Sequence, residues 1–249
     1  MRDWNGREIE VGQSRGGVIA VADYSDNLIR RNGRPWPPSA IVQKLYKSGQ
    51  VRSFDDMNRL VVSSHLGYYC DLQSLHSEDA ITWSFFGPLT HLPPVEQARF
   101  QNWLLERVGL ADENSTCEIT LFRRVPHPET LVPGGPEIDF CLTGDKAVIL
   151  GEAKWRSPVG AGQGVGGDQN QIGLRQRFLA DYGQAIFGPR LFVVLLLSPD
   201  VRPIDAYPAV PGVTLTSLQW TELCEYREHP LADEFARYYR WKCEHTQDG

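Results

Sequence analysis

The spacing of apolar residues changes near the middle of the chain. Before residue 110, apolar positions recur every three to four residues, which predicts helices over 80–86 and 95–108. The first of these helices is expected to end at Gly87-Pro88, because glycine and proline both interrupt a helix. Beyond residue 116 the period shortens towards two, and strands are predicted over 117–125, 137–142 and 147–155.

The pattern then returns to helical spacing. A helix is predicted over 169–187, followed by a continuous apolar run over 190–198 that is typical of a strand buried on both faces. A further strand is predicted over 213–216, and helices near 220–226 and 230–245 follow it. The order helix, three strands, helix, strand predicts an α/β fold with a mixed central sheet flanked by helices.

The first part of the chain has a less regular pattern. An apolar run at 16–22 indicates a strand, and short helices are predicted over 40–46 and 53–62. We interpret residues 1–62 as an N-terminal extension of uncertain role, either recognition or dimerisation, and residues 63–249 as the main domain.

Composition narrows the class of protein. Hydrophobic residues make up 41% and charged residues 22% of the chain, which is typical of a globular protein with a real core. The net charge of −6 argues against a protein that coats nucleic acid nonspecifically. It does not argue against a nuclease, which needs only a local cationic groove. The longest apolar run, 191–197, is too short to cross a membrane, and the N-terminus lacks the apolar core of a signal peptide. We therefore expect a cytoplasmic protein without membrane contact.

Three charged residues lie where the pattern predicts core strands. Asp139 lies within one predicted strand, and Glu152 and Lys154 lie two residues apart on the next, so both project from the same face. A hairpin that turns at Gly144 would place Asp139 and Glu152 opposite each other, with some offset absorbed by twist or by a bulge. The alternative is an ordinary edge strand with a solvated polar face.

The three residue types suit phosphodiester hydrolysis. Two carboxylates and a backbone carbonyl, here that of Ala153, make a hard-oxygen site for Mg²⁺ or Mn²⁺. A neighbouring lysine can orient or deprotonate an attacking water and stabilise the charge of the transition state.

The strings Pro136-Glu137-Ile138-Asp139-Phe140 and Gly151-Glu152-Ala153-Lys154-Trp155 resemble the signature of the PD-(D/E)xK nuclease superfamily, to which many restriction enzymes belong. The proline stands three residues before the acid instead of next to it. The resemblance implies a restriction-endonuclease-like αβββαβ core, with Asp139 and Glu152 as metal ligands and Lys154 as the catalytic lysine.

The resemblance also implies further site residues on two helices. Glu78 is the expected acid from the first core helix, with Asp79 as a rival; complementation of the helix dipole is the alternative for both. Gln171 and Arg175 share a helix stripe with Phe178 and are expected to contact a scissile phosphate, or otherwise to lie at the solvent edge.

The sequence therefore predicts a divalent-metal-dependent nuclease that acts on DNA in preference to RNA, in restriction, repair or phage defence. A homodimer or a partner protein of a defence or repair complex is compatible with this role. The alternative is a noncatalytic nucleic-acid-binding or assembly subunit. A glycine-rich match to a dinucleotide-binding loop at 162–167 lacks the required acid, and is interpreted as a substrate-facing loop.

Overall fold

The computed structural model describes residues 1–13, 18–31, 34–35, 71–110, 113–125, 137–156, 170–200, 204 and 207–246. The chain divides into two compact units: Met1–Pro88 with His229–Gly249, and Leu89–Glu228. The predicted helices at 40–46 and 53–62, the predicted domain boundary at residue 62 and the glycine-rich loop lie outside the described residues.

The described strands and helices follow the predicted order over most of the chain. They are β1 Val11–Gln13, β2 Ile19–Val21, β3 Arg30–Arg31, β4 Arg34–Pro35, α1 Glu78–Leu89, α2 Pro94–Arg107, β5 Cys117–Arg124, β6 Glu137–Gly144, β7 Ala147–Ala153, α3 Gln171–Phe178, α4 Gln184–Phe187, β8 Leu191–Ser198, β9 Val213–Gln219, α5 Trp220–Leu223 and α6 Ala232–His245. A π-helical turn, Leu179–Gly183, joins α3 to α4. Within the described residues, no helix is long and apolar enough to span a bilayer.

The first unit is held together around a buried asparagine. Asn27 donates from Nδ2 to the carbonyl oxygens of Leu72 and Ser74, at 2.8 and 2.7 Å. Its own carbonyl accepts a hydrogen bond from the hydroxyl of Tyr238, on α6, at 2.9 Å. These groups lie largely out of contact with solvent, where polar atoms need hydrogen-bond partners. Their bonds connect α6 to two segments that are far from it in sequence.

Helix α1 differs from its prediction at one end. The helix continues through Gly87 and Pro88 to Leu89, three residues past the predicted stop at Phe86. Proline lacks an N–H group and normally costs a helix a hydrogen bond, but Pro88 lies in the last turn, so the loss is confined to the helix end.

The second unit contains a five-stranded sheet in the order β5-β6-β7-β8-β9. The pairs β5–β6 and β6–β7 are antiparallel, whereas β7–β8 and β8–β9 are parallel. This confirms the predicted α/β class with a mixed central sheet. The parallel strands β7 and β8 are almost entirely buried, as their continuous apolar runs predict.

Helices α2 and α3 cover opposite faces of this sheet. On the α2 side, Gln101 donates from Nε2 to the carbonyl oxygens of Leu142 and Ala147. A Cβ built on Gly144 would lie 2.2 Å from the Gln101 side chain, so β6 faces α2 at Gly144. The apolar layer beneath α3 comprises Ile138, Cys141, Val148, Leu150, Ile172, Phe178, Leu179, Phe192, Val194 and Leu196.

Gly151 fixes the register of the β6–β7 hairpin. Gly151 lies opposite Phe140, and a Cβ built on it would lie 2.0 Å from the Phe140 ring. The ring is fully buried and occupies the space that a side chain at position 151 would need. Glycine is therefore required at this position for close packing of the two strands.

We predict that Gly151→Ala lowers the free energy of unfolding by about 1–3 kcal/mol, because the added methyl group overlaps the Phe140 ring. Chemical denaturation monitored by circular dichroism measures this change. The matched control is Gly173→Ala on α3, where the nearest atom is 3.6 Å from the new Cβ and helix propensity favours alanine. Equal stability of the wild type and Gly151→Ala would contradict the packing at this position.

Candidate active site

Asp139 lies where the pairing of β6 with both of its neighbours is interrupted. The β6–β7 pairs run from Thr143↔Val148 to Phe140↔Gly151 and end there. Continued by one residue, this register sets Asp139 opposite Glu152. The observed pairing ends before this position, so the expected offset between the two acids stays a prediction. In place of the next ladder bond, the Asp139 carboxylate accepts the N–H of Ala153 at 2.7 Å.

Strand β5, on the other side of β6, is distorted next to Asp139. The β5–β6 pairs include Leu121↔Phe140 and Arg123↔Ile138 but skip the position between them, where Phe122 would face Asp139. Phe122 has a φ of 53°, a left-handed backbone conformation that bulky residues rarely adopt. Such strain is costly and clusters at functional sites, where the surrounding structure holds it in place.

Glu152 is a charged residue inside the apolar layer beneath α3. It continues the alternation of Val148 and Leu150 on β7, and its exposed fraction is 0%. Lys154, which is only 5% exposed, places Nζ 2.7 Å from Glu152 Oε1. The predicted pairing of the two residues on one strand face is thus present as a buried ion pair, and a solvated edge strand is excluded for them.

A second cation reaches Glu152 from α3. Arg175, which is 1% exposed, contacts Glu152 Oε2 through Nη2. The same guanidinium donates from Nη1 to the Gln171 carbonyl at 2.9 Å and from Nη2 to the Glu137 carbonyl at 2.8 Å. The guanidinium therefore ties α3 to the first residue of β6 as well as to the carboxylate on β7.

The backbone of Lys154 is fixed from two directions. Its N–H donates to the Leu197 carbonyl on β8 at 2.7 Å. Its carbonyl accepts a hydrogen bond from the indole N–H of Trp220 at 2.8 Å. Because the main chain is held on both sides just beyond β7, the side chain of Lys154 projects from a rigid position.

Arg175 and Gln171 are the two predicted site residues of α3, and the structure bears on them differently. The solvent-edge expectation for Arg175 is wrong: its partner is Glu152. Its position on the stripe of Phe178 already indicates a buried face. Gln171 is partly exposed and supplies its carbonyl to Arg175; contact of its side chain with a phosphate stays a prediction.

Glu78 and Asp79 lie in the first turn of α1, where the helix dipole favours negative charge. Glu78 belongs to the first compact unit, whereas Asp139, Glu152, Lys154 and Arg175 belong to the second. A catalytic role for Glu78 stays a prediction, as does the carbonyl of Ala153 as a metal ligand.

The donor set near Asp139 suits a hard divalent cation. Within the described ranges, no group of three or more His, Cys, Asp or Glu side chains is placed to hold a metal ion. Mg²⁺ commonly needs only one or two carboxylates, since water and substrate phosphate complete its shell. The carboxylates of Asp139 and Glu152 are the candidates for these ligands, and two cations already contact Glu152.

Comparison of the chain with protein-family models, with curated proteins and with solved structures finds no match.

We predict that Glu152→Gln lowers the free energy of unfolding by about 3–5 kcal/mol, because it removes the carboxylate that both buried cations contact. Thermal and chemical unfolding measure the loss. Glu118→Gln, at an exposed position on β5 of the same sheet, is the matched control and should change stability by less than about 0.5 kcal/mol. A loss at position 152 as small as that of the control would show that the buried ion pairs do not contribute.

Proposed function

We propose that the chain is a divalent-metal-dependent nuclease with a restriction-endonuclease-like core of the PD-(D/E)xK type. Two observations support the proposal: Asp139 accepts the N–H of Ala153, the residue after Glu152, and Lys154 forms a buried ion pair with Glu152. Removal of a carboxylate from water is costly, so an acid and two cations beneath a helix need a reason beyond folding.

Each residue has a distinct role in this proposal. Asp139 and Glu152 hold the cation, together with the Ala153 carbonyl, and Lys154 orients the attacking water and stabilises the charge that develops on the phosphate. A bound Mg²⁺ or Mn²⁺ supplies Lewis acidity and lowers the pKa of its water ligand. The strained backbone of Phe122 supports the assignment, since it lies at the position opposite Asp139.

The proposed substrate is DNA in preference to RNA, and the proposed setting is cytoplasmic restriction, repair or phage defence. A homodimer would suit cleavage of both strands. Contact of the Gln171 side chain with the substrate belongs to the same proposal.

We predict that the purified chain cleaves DNA in Mg²⁺ or Mn²⁺, and that EDTA abolishes the cleavage. Lys154→Ala should lower the rate by about 100-fold or more, because general acid–base and charge-stabilising groups contribute that much. Asp139→Asn should do the same, because it preserves the acceptor for the Ala153 N–H while removing the charge that holds the cation. Gel assays on plasmid, linear and single-stranded DNA and on RNA measure the rates.

The matched control is Lys146→Ala, an exposed lysine at the β6–β7 turn, which should retain wild-type activity. Cleavage that survives in both site variants would place the activity elsewhere. A folded wild type that binds nucleic acid and metal but cleaves no substrate would favour a noncatalytic binding or assembly subunit.

A further inference from the structure

The two cation partners of Glu152 lie against the carboxylate that the proposed metal ion would use. Lys154 Nζ contacts Oε1 and Arg175 Nη2 contacts Oε2, so each carboxylate oxygen already has a positively charged neighbour. Both cations are at least 95% buried, which strengthens the attraction because little water screens it. A divalent cation that approaches Glu152 therefore meets two buried positive charges, which oppose its binding.

The charges of the four side chains balance without any metal. Asp139 and Glu152 contribute two negative charges, and Lys154 and Arg175 contribute two positive charges, so the sum is zero. Addition of a divalent cation to this neutral set leaves two uncompensated positive charges in a buried region, which is unfavourable. Loss of one cation before or during metal entry removes half of that excess.

Arg175 is the cation better suited to leave. Lys154 is fixed by its own main chain between Leu197 and Trp220, whereas Arg175 belongs to α3, which changes to a π-helical turn one residue after Phe178. The Arg175 Nε is buried and has no acceptor among the described residues, so the guanidinium is incompletely satisfied where it lies.

We propose that Arg175 regulates the site as a competitor of the divalent cation. Its guanidinium keeps the charges of the four side chains balanced without a metal ion, and it must release Oε2 of Glu152 before the cation binds. This inference rests on the proposed nuclease site. It makes Arg175 a positioning residue that acts through Glu152. The displaced guanidinium can then pair with an incoming phosphodiester, which brings the negative charge that the metal-loaded site lacks.

The test is isothermal titration calorimetry of Mn²⁺ into the wild type, Arg175→Gln and Asp139→Asn, without nucleic acid. Arg175→Gln should bind Mn²⁺ at least about tenfold more tightly than the wild type, because one competing positive charge is gone. Damage to the fold alone would weaken binding, so tighter binding separates competition from a structural role. Arg177→Gln, which removes an exposed arginine from the same helix, should bind like the wild type.

If Arg175→Gln does not fold, Arg175→Lys takes its place. A single ammonium group on a shorter reach cannot contact Glu152, Gln171 and Glu137 together, so Mn²⁺ affinity should still rise, by a smaller factor. Mn²⁺ binding that depends on Asp139 but is no tighter in a folded Arg175 variant would overturn the competition and leave the nuclease proposal standing. Absence of any Asp139-dependent Mn²⁺ binding would overturn both.

Discussion

Burial of the Glu152 carboxylate is the constraint on which the second unit depends. The residue lies in an apolar layer between β7 and α3, where an ionised group is tolerated only with close counter-charges. Lys154 and Arg175 supply them, and Arg175 also donates to the carbonyls of Gln171 and Glu137. The ion pairs thus determine how α3 lies on the strands at the position where the proposed chemistry occurs.

The sheet topology brings the remaining groups to the same place. The antiparallel hairpin brings Asp139 to the Ala153 N–H on β7, and Gly151 leaves the space that the Phe140 ring occupies. The parallel neighbour β8 and the indole of Trp220 then fix the main chain of Lys154 just past the end of β7. The antiparallel half of the sheet therefore positions the acids, and the parallel half positions the lysine.

Local patterns were sufficient for much of this arrangement. The period-two spacing of β6 and β7 predicted the shared face of Glu152 and Lys154, and the apolar run of β8 predicted a buried central strand. The position of Asp139 relative to β7 is beyond such patterns, because the hairpin packing depends on the close contact of Phe140 with Gly151, and no local pattern reveals a contact between a side chain and the backbone.

Other features depend on contacts that no local pattern carries. The stripe of Arg175 and Phe178 indicates a buried face of α3 but not the partner that Arg175 meets there. The left-handed backbone of Phe122 has no signal in a sequence of β-forming residues, since it arises where β5 and β6 fail to pair. The return of His229–Gly249 to the first unit likewise depends on long-range contacts, such as that between Tyr238 and Asn27.

The central claim is that Asp139 and Glu152 together hold a divalent cation. Its most direct test is the anomalous difference density of crystals grown with Mn²⁺ and a short DNA duplex, with Asp139→Asn crystals as the comparison. The account predicts one strong peak about 2.1 Å from oxygens of both carboxylates, with Arg175 moved away from Glu152 and no peak in the variant. Crystals at saturating Mn²⁺ with no peak there, and with both cations still on Glu152, would contradict it.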